Sequence, residues 1–328
     1  MYGKGGFLMK KIDAHLHLVK AIAGSKGQGR LTPLGKGKAI WDDGEIIKLI
    51  PDGWGEENFL MEKALEVMEA NDVKKAVLLQ GTLNGYQNYY SYQTVKKYPE
   101  QFIAAFALDP FVDNAMEIVK RHVEVLGFRA IKFEISQGGG LHGFHQPFSL
   151  ANNPKIQQII HYIAQYQGFV VTVDYGNYQQ VSYQPEAIVA LAKRYPHVDF
   201  VVCHLSFPDA DNPQILTSAL NQFAPYANIY VDISAIQDIE QEQGPEAYPF
   251  IKCQQDVKLA KEILGVKRIM WGTDSPWSAT FNQYEQLYSW LEESGIFSAA
   301  ELADIFYSNA EKVYFKQANV EAMKAAKE

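Results

Sequence analysis

Two histidines stand two residues apart near the start of the chain, in KIDAHLHLVK over residues 11–20. In an extended strand, residues i and i+2 point to one face, so Asp13, His15 and His17 project together while Ile12, Ala14, Leu16 and Leu18 project to the other. Two neutral imidazoles at that spacing converge on one point, and imidazole is the commonest side-chain ligand for zinc and related ions. An edge strand with a solvated polar face would show the same alternation. The surrounding residues are apolar enough for a core strand, which favours a metal-binding strand end.

Further ionisable residues recur at the ends of later strand-like segments. Lys132 and Glu134 share one face of RAIKFEIS, Asp174 ends FVVTVDYG, and His204 ends VDFVVCHLSF with Cys203 expected to point the opposite way. Asp232 lies near the end of NIYVDISA, and Asp274 ends RIMWGTDSPW. Carboxylates and imidazoles gathered inside an apolar interior need a cation to balance them. Individually, Lys132 with Glu134 reads as an internal ion pair or a catalytic pair, Asp232 as a turn cap or a site residue, and His204 as a site group or a core histidine.

The elements that would gather these residues alternate along the whole chain. After the opening strand, KKAVLLQG and residues 102–107, 129–135, 169–174, 198–204, 229–233 and 268–273 read as short buried strands. Amphipathic helices are expected in EENFLMEKALEVMEAND and over 92–98, 115–126, 155–165, 186–194, 213–223, 256–264, 283–292 and 299–315. Eight strand–helix units imply parallel neighbours with right-handed crossovers, which predicts an α/β fold, a single-domain (β/α)8 TIM barrel with its active site at the C-terminal strand ends. A doubly wound sheet would carry a Gly-rich phosphate turn after its first strand, and DAHLHLVK has none. Residues 19–55 read as a long functional loop after the first strand. The expected boundaries are a leader or tag-like segment over 1–9, the barrel over 10–316 with an extra C-terminal helix, and a tail over 317–328.

Composition narrows the partners. The chain has 328 residues, 47% of them hydrophobic, and a formal net charge of −8. That charge argues against nucleic acid and anionic membranes, whose phosphates need clustered cations. A small-molecule substrate is the expected partner, and a homodimer is one assembly the chain could adopt. Two cysteines, Cys203 and Cys253, make no disulfide framework, and MYGKGGFLMKK lacks the apolar core of a signal peptide, so the expected location is cytoplasmic. Aromatic residues expected in the mouth loops, among them Tyr86, Tyr89, Tyr90, Tyr92, Tyr175, Tyr178 and Trp277, suit either a flat ligand or helix packing. His142 and His145, in GGGLHGFHQPF, are candidates for a loop that closes over substrate.

Taken in order, DAHLHL, CHLS, WGTDSP and IFYSNAEKVYF resemble the amidohydrolase superfamily, and most of all its amidohydrolase-related branch, which includes the aminocarboxymuconate-semialdehyde decarboxylases. The resemblance runs from Ile12 to Phe315. It implies a metal-dependent (β/α)8 barrel with His15 and His17 as ligands, Asp274 as ligand or proton acceptor, and His204 as the acid/base group beside the ion. One position departs: where the branch has a strand-five histidine, this chain has Asp174, and a carboxylate ligand there makes Mn²⁺ an alternative to zinc. One divalent ion is expected, held by His15, His17, Asp174 and Asp274. Such an ion activates water beside a polarised carbonyl, which implies hydrolysis of an amide, lactone or ester. The alternatives are non-oxidative decarboxylation of an aromatic or muconate-type acid, with Arg30 as the carboxylate anchor, and a catalytically idle binding barrel. The expected substrate-binding residues are Arg30, Lys132, Glu134, Tyr175 and Trp277.

Overall fold

The computed structural model describes residues 9–136, 148–239 and 246–326. β1 (Lys11–Leu16) is buried along its whole length. Four short strands follow, β2 (Ser25–Lys26), β3 (Gly29–Gly35), β4 (Lys38–Trp41) and β5 (Ile46–Lys48). The remaining strands are β6 (Val73–Leu78), β7 (Phe102–Ala104), β8 (Ala130–Glu134), β9 (Val170–Asp174), β10 (Asp199–Val202), β11 (Ile229–Asp232) and β12 (Ile269–Met270). Most of these are buried on both faces, as Val/Ile-rich strands covered by helices must be.

All pairings among β1 and β6–β12 are parallel, and they form two sheets, β1-β6-β7 and β8-β9-β10-β11-β12. The single closed barrel expected from eight strand–helix units is therefore replaced by two sheets with thin seams. Isolated parallel bridges join Phe106 to Ile131 and Leu16 to Ser275 across those seams. Backbone hydrogen bonds flank them: Lys132 N to Phe106 O at 2.8 Å on one side, and Asp274 N to His15 O and His17 N to Ser275 O, both at 2.8 Å, on the other. The reason is length, since β7 and β12 are three and two residues long and cannot carry a full ladder to β8 and β1.

Residues 19–55, expected as a long functional loop, hold regular structure. They contain the antiparallel sheet β2-β3-β4-β5, which buries Leu31, Ala39 and Trp41. The Gly35–Lys36–Gly37 turn, with all three φ positive, closes β3 onto β4. This small sheet leans on the segment after β6 through Ser25 N to Thr82 O and Ala23 N to Asn84 O. A run rich in Gly and Lys hid two-residue alternation that only a few buried side chains reveal.

The helices are α1 (Met61–Ala70), α2 (Asn88–Lys97), α3 (Ala115–Lys120), α4 (Pro154–Ile163), α5 (Pro185–Arg194), α6 (Pro213–Phe223), α7 (Ile236–Ile239), α8 (Ile251–Leu264), α9 (Gln286–Glu293), α10 (Ala299–Ala303), α11 (Asn309–Val313) and α12 (Gln317–Ala325). α4 shows why they form. Asn153 caps it by accepting from Lys155 N and Ile156 N, Pro154 opens its first turn, and Ile156, Ile159, Ile160 and Ile163 bury one stripe. α12 lies in the segment expected to be a tail, where Asn319 and Met323 are buried. No described helix is long and apolar enough to cross a membrane.

Trp271, just after β12, ties the β1 seam to the helices. Its carbonyl accepts from Ala14 N, its Nε1 donates to the Leu287 carbonyl at 2.8 Å, and its ring meets Tyr284, Tyr288 and Phe306 edge-on. Trp271→Ala should cost about 3–5 kcal/mol in urea denaturation. Leu34→Ala, at a residue 52% exposed on β3, should stay within about 0.5 kcal/mol of the parent. Equal costs would contradict this account of the seam.

Candidate metal centre

His15 and His17, at the end of β1, lie on one side with ring centroids 5.1 Å apart. His15 Nδ1 faces Asp232 Oδ2 at 3.2 Å, at the end of β11. His17 Nδ1 faces the Leu79 carbonyl at 3.0 Å, just beyond β6. Both partners can only accept, so each Nδ1 carries a ring proton and each Nε2 points to the interior. The two Nε2 atoms meet Asp274 Oδ1, at 3.5 Å from His15 and 2.8 Å from His17. At 2.8 Å the His17–Asp274 contact is a hydrogen bond when Nε2 carries a proton, and a bound cation would take that proton's place between the nitrogen and the carboxylate.

Position is set by backbone as much as by side chains. Asp274 takes φ +58°. At Gly272 a Cβ would stand 2.8 Å from His15 Cβ, so only glycine lets the end of β12 pass that close to β1. At Gly81 a Cβ would lie 3.2 Å from His17 Cε1 and 3.4 Å from Glu134 Oε2. Beneath the histidines, Asp13 accepts from His15 N, from both the amide and hydroxyl of Thr273, and from Tyr284 Oη. Burial nevertheless pushes its carboxyl up to about 6.

The opposite side of the space is built from β8, β9 and β10. Lys132 Nζ donates to His15 Nε2 at 3.4 Å and pairs with Glu134 Oε2 at 3.4 Å. Glu134 Oε1 accepts from Thr82 N at 3.2 Å and Thr82 Oγ1 at 2.5 Å. Burial alone would favour the neutral amine of Lys132, but the negative charges of Glu134, Asp174 and Asp274 outweigh it and raise its pKa. Burial likewise lowers His15 to about 4, helped by the Lys132 charge and opposed by Asp232, so His15 is neutral at pH 7.

His204 closes the ring. Its centroid is 4.9 Å from that of His15, its Nδ1 faces the Ser234 carbonyl at 2.9 Å, and its Nε2 lies 3.7 Å from Asp174 Oδ2. Ser234 Oγ stands 3.0 Å from Nδ1 of both His15 and His204 and donates to Asp232 Oδ1 at 2.5 Å. Burial would depress His204, yet Asp174, Asp274 and Asp232 together raise it. Burial lifts Asp174 to about 6, with His204 opposing and Glu134 adding to the shift. His204, Leu205, Ser206 and Phe207 all have φ between +50° and +63°. Four L-residues in a left-handed turn carry a cost of about 1–2 kcal/mol each, and such strain gathers where geometry matters for function.

Of the residues expected in the site, His15, His17, Lys132, Glu134, Asp174, His204 and Asp274 meet in this one buried space. The ligand atoms of His15, His17 and Asp274 lie within 4.8 Å of one another in a set that does not include Asp174. Arg30 is exposed on β3, Tyr175 is buried with its hydroxyl 2.5 Å from Ser206 Oγ and its ring against Tyr183, and Trp277 packs on Phe281. No hydrogen bond or ion pair among the described residues joins these three to the cluster. His142 and His145 lie outside the described residues. Cys203 departs from expectation, because the backbone turns left-handed at His204 and breaks the strand alternation; its thiol falls within 4.8 Å of ring nitrogens of His15 and His204. Ser234 and Thr82 were not legible as site residues. A serine two residues beyond Asp232 was the available signal for Ser234, and Thr82 had none.

A family description, Amidohydrolase, matches residues 12–316. The chain belongs to the amidohydrolase family. No curated protein matches it. Among solved structures, an amidohydrolase from Burkholderia multivorans with bound zinc aligns at 16% identity and TM-score 0.70 over 93% of this chain and 99% of that one. A probable 2-pyrone-4,6-dicarboxylic acid hydrolase from Acinetobacter baumannii aligns at 15% and 0.64 over 94% and 100%. A 5-carboxyvanillate decarboxylase from Sphingomonas paucimobilis aligns at 13% and 0.53 over 76% and 82%. These likenesses are of fold. For the divalent ion that the amidohydrolase family implies, the donor chemistry fits: two Nε2 lone pairs, each with its Nδ1 held by an acceptor, face one carboxylate oxygen.

Asp232 orients this amidohydrolase's His15 without lying in the ligand set. Asp232→Asn should weaken zinc binding in a calorimetric titration by about 10–100-fold while the far-UV spectrum stays unchanged. Unaltered affinity would remove Asp232 from the role given to it.

Proposed function

We propose that the chain is a metal-dependent hydrolase of a small lactone, ester or amide, built as a single-domain (β/α)8 barrel over residues 10–316 whose seams are the two isolated bridges. The observation that carries this reading is the convergence of His15 Nε2, His17 Nε2 and Asp274 Oδ1 opposite the His204–Asp174 pair. His15, His17 and Asp274 would hold one divalent ion, zinc in the first instance and manganese if Asp174 joins the set. When bound, the ion supplies Lewis-acid polarisation of the carbonyl and of water.

The chain's own residues do the rest. Asp274, whose carboxyl the His17 and His15 contacts hold well below the usual range in spite of burial, stays ionised as ligand and proton acceptor. His204, with Nδ1 fixed on the Ser234 carbonyl, holds a proton at Nε2 for the leaving group. Lys132 and Glu134 face the same space and orient the substrate, whereas Arg30, exposed on β3, and Trp277, packed on Phe281, are left without a part in it. Tyr175 bonds Ser206 and so braces the left-handed turn that begins at His204.

Decarboxylation of an aromatic acid fits less well, because a departing carboxylate needs a cationic fork. Of the five arginines, Arg129, Arg194 and Arg268 donate to backbone carbonyls away from the cluster, Arg121 lies in the turn after α3, and Arg30 is exposed. Residues 137–147 and 240–245 contain no lysine or arginine. A neutral or singly charged carbonyl compound is therefore favoured over a dicarboxylate such as the one in the neighbour's name. The net charge of −8 is in keeping with a cytoplasmic enzyme that leaves nucleic acids and anionic membranes alone.

Chelator treatment should abolish turnover across a panel of lactones and esters, and zinc should restore it. His204→Gln should lower kcat by about 10²–10⁴-fold at unchanged metal content. Full activity after chelation, or release of CO₂ from aromatic acids with no turnover of lactones, esters or amides, would overturn the proposal.

A further inference from the structure

We propose that Lys132 is the resident cation of the centre, and that a divalent ion enters only by displacing its ammonium from His15, so that this side chain sets the metal affinity. The inference rests on the metal-centre reading above and adds a competitor to it.

A neutral imidazole has a single acceptor nitrogen. His15 Nδ1 is committed to Asp232 at 3.2 Å, which leaves Nε2 as the acceptor, and Lys132 Nζ donates to that atom at 3.4 Å. The same Nε2 is the His15 atom that lies 3.5 Å from Asp274 Oδ1, on the side where an ion would sit. One lone pair cannot serve an ammonium and a metal ion together.

Charge explains why an ammonium is stored there. Glu134, Asp174 and Asp232 are buried carboxylates, Asp274 is nearly so, and among the described residues Lys132 is the one buried ammonium that faces them. Unbalanced buried carboxylates are costly, so the lysine satisfies part of the cluster when no ion is present. Its four-carbon stem is flexible and Glu134 Oε2 is a second partner at 3.4 Å, so the ammonium can release His15 without losing all its contacts. Glu134 in turn keeps both bonds from Thr82 if the lysine is removed.

The test is calorimetric titration of Zn²⁺ into the apo protein and its Lys132→Met, Lys132→Gln and Lys132→Arg variants, with folding checked by circular dichroism. Met and Gln should each lower the zinc Kd at least tenfold, about 1.4 kcal/mol, and Arg should not. The Gln variant serves if the Met variant fails to fold. An unchanged Kd in both neutral variants overturns the inference. A weaker Kd also overturns it and makes Lys132 a supporter of the ion instead of its rival. Failure of all four proteins to bind zinc overturns both this inference and the metal-centre reading, which separates the two failures.

Discussion

Three histidines turn Nδ1 toward groups that can only accept: His15 toward Asp232, His17 toward the Leu79 carbonyl and His204 toward the Ser234 carbonyl. Everything else about the centre depends on that constraint. It gives each Nδ1 a proton, and it leaves three Nε2 atoms looking into one buried space lined by Asp274, Asp174, Lys132 and Glu134. The acceptors come from β11, the end of β6 and the residues after β11, so the orientation of each ring is only as good as the alignment of distant strands. That is why a centre of this kind needs parallel strands ending at a common level.

The strands achieve that level at a cost in backbone strain. Positive φ at His204, Leu205, Ser206, Phe207, Ala235 and Asp274 is concentrated at the strand ends that carry the site. The surrounding core, with β8, β9 and β11 buried throughout, supplies the packing that holds such conformations in place. Gly272 and Gly81 show the same economy from the other side: each is a place where a Cβ would press on a site residue. Strain and close approach thus fall on the loops that shape the centre, while the helices follow ordinary capping and amphipathic patterns.

Much of this was legible in the residues themselves. The i, i+2 spacing of His15 and His17 identified one face of a strand, and the recurrence of Lys132, Glu134, Asp174, His204 and Asp274 at strand ends identified a shared level. Strand alternation gave no warning of Cys203, because its direction is decided by the left-handed turn that begins at His204, and a positive φ at a non-glycine residue has no sequence signature. Ser234 was silent for a similar reason, since its contact with both His15 and His204 depends on the path after β11. The small sheet in residues 19–55 was hidden by glycines and lysines that serve its turns. Length misled once: two strands too short for a full ladder divide what eight strand–helix units suggested would be one continuous barrel.

The central claim is that one divalent ion sits on His15, His17 and Asp274 and not on the thiol-bearing set of His15, Cys203 and His204. X-ray absorption at the zinc edge of the loaded full-length protein separates the two. The account predicts a stoichiometric ion with only nitrogen and oxygen neighbours at ~2.0–2.2 Å and imidazole back-scattering. A sulfur neighbour at ~2.3 Å, or no imidazole signal at all, would contradict it.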